Sequence, residues 1–390
     1  MRGIKAPPRF ILYRILGNDL PPRHGTGDGE RVLRFILDHE PPLEQAEKRF
    51  ILNGIADLET ERRYASLLAE RGFAVERIPF DRTGFAAAFF DASGMPRSEN
   101  PFVPRPVPAP TRKSRWRAFR RKLKRRLLRR PPPEGPAFSL LPLPANMFAL
   151  EWMLRHKSLA AIPLNRARNL AIEDGRAQGA EWILPLDGWT FFTEAGWSEV
   201  VSFADGHPDA RYLAIPIARV GDASQLLQPG FNPAAAEEPQ LALRHDARAR
   251  FDETLRYGNR NKSDLLRRLG IPGNEFVIPD WEIRPKPPFS ETGETAPACG
   301  WVARVPSGAL NKVEASSLDR WKARFTGVLD FTRMLDAGRI EAAWTAFISR
   351  EGFADTPEGR SVEATARAHL ADAAAAAFEA PLRTVLDKQH

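Results

Sequence analysis

The chain has little cysteine: Cys299 is the only one in 390 residues. A single thiol cannot build a disulfide framework, so a reducing compartment is the expected setting. No run of about 18 apolar residues occurs, and no transmembrane helix is expected. The opening MRGIKAPPRFILYRILGND breaks its apolar stretch with Tyr13, Arg14 and Asn18. That makes a poor secretory signal. The seven histidines never fall at H-x-x-x-H or H-E-x-x-H spacing, which removes the usual zinc-hydrolase helix. G-x-S-x-G, G-x-x-x-x-G-K-[ST] and G-x-G-x-x-G are absent too, so nothing marks a nucleophile elbow, a P-loop or a dinucleotide fingerprint. GTGDG at Gly25–Gly29 is a lone glycine-rich loop, short of a phosphate motif. No internal repeat is evident.

Hydrophobic residues are 43% of the chain, enough for a sizeable core. The net charge of +8 comes from 57 basic and 49 acidic residues. Thr111–Arg130, TRKSRWRAFRRKLKRRLLRR, holds 12 of the bases and no acid. The remainder carries 45 bases against 49 acids, so the basicity is local. Within this segment Trp116, Phe119, Leu123 and Leu127 share one helical face. Cations around an aromatic stripe are the pattern of an interfacial helix on an anionic membrane surface. Nucleic acid is not the expected partner, although the same composition could bind it. Proline clusters at 100–110 and 131–136 bracket the segment, which reads as an insertion.

Short apolar and β-branched runs predict strands at Arg9–Leu16, Lys48–Ile55 and Phe73–Pro79. Helical spacing predicts helices at Glu30–Asp38 and Glu59–Gly72. Strand–helix–strand at these lengths is a βαβ unit with parallel strands. After the insertion, a helix is expected over Leu164–Gly179. A strand at Glu181–Leu186 follows, leading to Asp187, then a helix at Glu194–Asp205. Further strands are expected at Arg211–Val220 and Pro239–Arg244, and a helical tail from about Asp319.

Asp187 stands at the tip of an apolar strand, and ligands of open α/β sheets bind beyond such carboxyl ends. The dipeptide Asp187-Gly188 is also a common turn signal. The wider block LNRARNLAIEDGRAQGAEWILPLDG resembles a signature of GT-A glycosyltransferases, nearest the family-2-like inverting enzymes. The matching residues are Ala167, Arg168, Asn169, Gly179, Ala180, Glu181, Trp182, Ile183, Leu184, Leu186 and Asp187. The likeness covers roughly residues 9–280.

The resemblance implies an α/β, GT-A (Rossmann-like) fold with a mostly parallel sheet. Residues 1–100 would form its nucleotide-binding half and 139–318 its metal and acceptor half. The basic insertion (101–138) and a helical extension (319–390) would be additions. It implies a nucleotide-sugar donor and a glycan or lipid-linked acceptor, as in surface polysaccharide or glycolipid assembly. Asp57, Arg166, Arg168, Asn169 and Tyr13 would bind the donor, with Asp57 on the base and Arg168 on the phosphates. Asp187 would hold a divalent cation, Mn²⁺ or Mg²⁺, to neutralise the diphosphate. The usual Asp-x-Asp is here Asp187-Gly188-Trp189, one carboxylate short; ribose or sugar hydroxyls are the alternative partners of Asp187. The general base is expected in Glu237–Glu253, first at Asp246 and next at Asp252 or Glu253. His245 beside Asp246 points to the opposite strand face. Arg256, Arg260 and Lys262 are within reach of a diphosphate or are a surface charge run. The expected location is cytoplasmic, peripheral at the inner membrane face. The alternatives are a degenerate GT-A domain that binds sugar-nucleotide without turnover, or a protein whose function lies in residues 111–130.

Overall fold

β1 (Phe10–Leu16) is buried along its whole length, as a strand covered on both faces must be. It pairs in parallel with β2 (Ala46–Asn53) on one side and β4 (Trp182–Asp187) on the other. β3 (Ala74–Ile78) extends the parallel half beyond β2. The computed structural model describes residues 9–88, 154–258, 261–272, 287–307 and 317–336. The basic segment 111–130 and the tail beyond 336 lie outside them.

Beyond β4 the sheet becomes mixed. β7 (Glu237–Arg244) runs antiparallel to both β4 and β6 (Tyr212–Arg219). The link from β6 to β7 holds only a 3-10 turn at Ala223–Leu227 and loop. It has no crossover helix of the kind that parallel neighbours need. β8 (Val302–Arg304) joins β6 in parallel, and β5 (Thr190–Phe191) closes the far edge on β8. The eight strands form one sheet in the order β3-β2-β1-β4-β7-β6-β8-β5. The expectation of a mostly parallel sheet therefore holds for one half. Only Gly188 and Trp189 separate β4 from β5, yet three strands stand between them in the sheet. The sheet must curl strongly to bring both about.

Helices cover both faces. α1 (Asp28–His39), α2 (Leu58–Glu70) and α3 (Arg82–Ala87) belong to the first half. α4 (Arg155–Ala161) leads into α5 (Leu164–Ala177). Ala167 and Ala171 of α5 pack on Ile11, Tyr13, Ile15 and Ile183. On the opposite face α6 (Glu194–Gly206) lays Trp197 and Val200 on Phe10, Leu12 and Leu184. Each such fully buried aliphatic side chain contributes roughly 1.5–3 kcal/mol. α7 (Ser263–Arg268) and α8 (Ser317–Leu335) complete the described helices.

Candidate functional site

β1 lies between β2 and β4, so the strand order reverses there. The carboxyl ends of β1 and β4 are thus a topological switch point, where α/β sheets take ligands. Asp187 is the last residue of β4, level with Ile15 of β1. Gly188 lets the chain turn across the end of β1: a Cβ there would meet the Ile15 carbonyl oxygen at 2.5 Å. Trp189 then stacks on His24, with ring centroids 4.6 Å apart. An aromatic contact thus occupies the place of the second acid of Asp-x-Asp.

The first turns of α5 present Asn165, Arg168 and Asn169 on one side, as residues three and four apart must lie. Arg168 donates to Asp187 Oδ1 at 2.9 Å and to the Asn165 side-chain oxygen at 2.8 Å. Asn165 donates to the carbonyls of Asp252 and Asn261, both at 2.7 Å. Asn169 donates to the Phe251 carbonyl at 2.9 Å and to Glu253 at 2.8 Å. These asparagines fasten Phe251–Glu253 and Asn261 against α5. That fastening delivers Lys262, whose Nζ lies 3.6 Å from Asp187 Oδ2. Gln240 of β7 donates to the same oxygen at 3.1 Å. Burial alone would raise the Asp187 carboxyl, but Lys262, Arg168 and Arg304, with the Gln240 amide, hold it well below the usual range.

The residues present do not suit a divalent cation at this carboxylate. Both oxygens of Asp187 are engaged by cationic or amide donors, and Lys262 also pairs with Glu238 at 3.2 Å. A metal would have to displace two buried cations from a site with no second acid ligand among the described residues. Among the described residues, no group of three or more His, Cys, Asp or Glu could hold a metal ion.

Several residues singled out in the sequence stand elsewhere. Asp246 follows the end of β7, and β7 antiparallel to β4 sets Arg244 opposite Trp182. Asp246 is therefore at the end of the sheet away from Asp187, bound by Arg244 at 2.7 and 2.9 Å. It cannot serve as a base beside Asp187. Exposed His245 shares that end. Tyr13 is a core residue whose hydroxyl donates to Asp174 under α5, not a ligand contact. Asp57 is the N-cap of α2, accepting from the amides of Glu59 and Thr60 and from the Thr60 hydroxyl. Arg166 is exposed on α5, two residues from Arg168 and so on another side of the helix. Asp252 accepts from Thr254 within its own turn. Arg256 is buried, and Arg260 lies outside the described residues. In the GTGDG loop, Asp19 accepts from the amides of Gly27 and Gly29, at 2.9 and 3.0 Å. This carboxylate takes the donors a phosphate would need.

Gln240, Glu238, Arg23 and Arg304 join the site without having been singled out in the sequence, although Glu238 and Gln240 lie in the stretch expected to hold the base. Glu238 and Gln240 share β7, while Arg304 ends β8 and Arg23 lies in the turn before α1; only the mixed half of the sheet unites them. Burial, then Arg23 and Arg304, push the neighbouring His24 down to about 3. An unfolded histidine titrates near 6.5. Between those values the unfolded chain binds more protons than the folded one, so stability falls as pH drops from about 6.5 toward 3. His24→Gln should remove this component, on the order of a few kcal/mol over the window. Urea melts at pH 7 and pH 4.5 measure it; an unchanged difference between the two pH values would contradict the assignment.

No protein-family model matches the chain, and neither a curated protein nor a solved structure matches it.

Proposed function

We propose that the chain is a GT-A-type glycosyltransferase that moves a sugar, with inversion, from a nucleotide-diphospho-sugar to a glycan or lipid-linked acceptor. The observation that carries this is the ion pair between Asp187 and Arg168 at the switch point of the sheet. Both residues belong to the block that resembles GT-A enzymes, and they meet where such a sheet takes its ligand. The Asp187 side chain keeps 20% of its surface exposed. Its remaining lone pairs accept hydrogen bonds from ribose or sugar hydroxyls.

The reaction is a single displacement. The acceptor hydroxyl forms the new C–O bond at the anomeric carbon, the nucleoside diphosphate leaves with the bonding pair, and a carboxylate takes the hydroxyl proton. Two acids begin β7 at the Asp187 end of the sheet. Glu237 is engaged by Arg219 through two 2.6 Å bonds. Glu238, half-exposed and reaching Lys262, is the base in this scheme in place of Asp246.

Among the described residues no helix is long and apolar enough to cross a membrane. The basic segment 111–130 would hold the enzyme peripherally to an anionic inner-face surface, beside a lipid-linked acceptor. A second reading, sugar-nucleotide binding without turnover, is favoured by Trp189 at the position of the second acid. Calorimetry with UDP, GDP, CMP and dTDP, with and without Mn²⁺, tests the donor site. One nucleotide should bind wild type and be weakened by Asp187→Ala. If none binds under any condition, both sugar-nucleotide readings fail.

A further inference from the structure

Among the described residues, the cations at the switch point outnumber the acids. Asp187 is shared by Arg168 and Lys262, and Glu237 is engaged by Arg219. Arg304, at the end of β8, sits level with Arg219 of β6 and Thr190 of β5. Its side chain makes no hydrogen bond or ion pair among the described residues, and its Nε is buried without a partner. Arg324 of α8 lies over the Tyr257 ring at 5.8 Å and reaches the Gly258 carbonyl at 3.3 Å. Its Nε is likewise buried without a partner. Arg23, in the turn before α1, is only 2% exposed and acts on the Tyr257 hydroxyl. His24 accepts from the Leu20 amide through Nδ1 at 3.3 Å, which leaves Nε2 as its donor. That nitrogen is also buried without a partner.

All three orphaned atoms are donors. Like-charged guanidiniums held together and half-desolvated are costly unless an anion joins them. Their fields reach one another: Arg304 acts on Asp187, Arg23, His24, Tyr257 and Glu237. Tyr257 is held below its usual range by Arg23, Arg324 and Arg304 although burial works the other way. Arginine forks match phosphate oxygens in charge and geometry.

We infer that Arg23, Arg304 and Arg324, with the His24 Nε2–H, form a built anion site that takes a diphosphate and replaces a metal ion in neutralising it. Assigning that diphosphate to a sugar-nucleotide donor rests on the glycosyltransferase reading; the anion site does not. When the glycosidic bond breaks, the departing diphosphate gains negative charge, and fixed guanidiniums meet that charge without reorganising. The missing second carboxylate is then a consequence: with arginines as the counter-charge, a further acid would compete for them.

Calorimetry of inorganic pyrophosphate and of UDP, GDP and dTDP, on the full chain in EDTA, with the nucleotides repeated in Mn²⁺, tests the site. Arg304→Gln and Arg324→Gln are compared with Arg62→Gln, a change at an exposed arginine of α2. Pyrophosphate should bind wild type, and each site variant should weaken it about 10- to 100-fold. Arg62→Gln should change nothing. In phosphate-free buffer Arg304→Gln should also melt above wild type, since it relieves repulsion and breaks no bond. If pyrophosphate and one nucleotide both bind without metal and both weaken, both readings hold. Pyrophosphate binding of this kind without any nucleotide binding keeps the anion site and ends the glycosyltransferase reading. A nucleotide that binds only with Mn²⁺, indifferent to Arg304→Gln, does the reverse. Pyrophosphate weakened no more by the site variants than by Arg62→Gln overturns the anion site, and no binding at all overturns both.

Discussion

Glu40→Gln should cost the folded protein about 3–5 kcal/mol. The Glu40 and Arg14 side chains have no exposed surface and form an ion pair. Lys48 adds a second cation at 2.9 Å, and the Phe192 amide donates to Glu40 at 2.8 Å. Arg14 also donates to the Thr190 carbonyl at 3.2 Å. One carboxylate therefore joins β1, the end of α1, β2 and the 190–192 segment that carries β5. Neutralising it leaves the Arg14 charge buried with no counter-ion, and solvent cannot reach in to compensate. Urea denaturation is the check. A loss under about 1 kcal/mol, the range of exposed pairs, would mean that the cluster is solvated in solution. Because the Thr190 hydroxyl donates to the Asp187 carbonyl at 2.7 Å, some loss of ligand binding should accompany the loss of stability.

Asp187→Asn has the second large effect, and it separates binding from folding. Arg168 is only 2% exposed on its side chain and would lose the Asp187 carboxylate it pairs with at 2.9 Å. Lys262 would keep Glu238. The expected loss of stability is about 3 kcal/mol, the lower end of the range for a broken buried pair. Nucleoside diphosphates should bind more weakly, because an amide accepts less strongly from ribose hydroxyls than a carboxylate does. Inorganic pyrophosphate has no such hydroxyl, and removing a negative charge beside the arginines should leave its affinity equal or greater. Calorimetry with both ligands at a temperature well below the melting point measures this. Equal weakening of both would show that Asp187 acts only by holding the frame. Because the cations hold the Asp187 carboxyl far below neutrality, its ionisation should add no acid limb to binding between pH 5 and pH 8.

The parallel half of the fold was legible because its signals are local. β1, β2, α2, β3, α5 and β4 each fall within a few residues of their expected bounds, set by apolar runs and periodicity. The mixed half was not. β5 and β8, at two and three residues, are too short to carry a pattern, and strand direction leaves no trace in a local apolar run. That second point decided Asp246: Pro239–Arg244 was rightly a strand, but its antiparallel course puts Asp246 at the end away from Asp187, and Glu238 and Gln240 at the Asp187 end. Tyr13 failed for a related reason, since the face a strand residue presents depends on what packs above it. Arg168 and Asp187 were legible because motif spacing fixes a helix start against a strand end. Arg23, Arg304 and Arg324 come from three distant segments, and nothing local marks their meeting.

The most direct test of the central claim is release of nucleoside diphosphate from a panel of UDP-, GDP- and dTDP-sugars. It is run on the full chain with anionic lipid vesicles and candidate glycan acceptors, in EDTA and in Mn²⁺. One donor should be consumed in both media, and Glu238→Gln should lower kcat about 10²- to 10⁴-fold, the usual worth of a general base. A nucleotide that binds tightly while no donor is consumed would contradict catalysis and leave a sugar-nucleotide-binding protein. Consumption only in Mn²⁺ would contradict the arginine site.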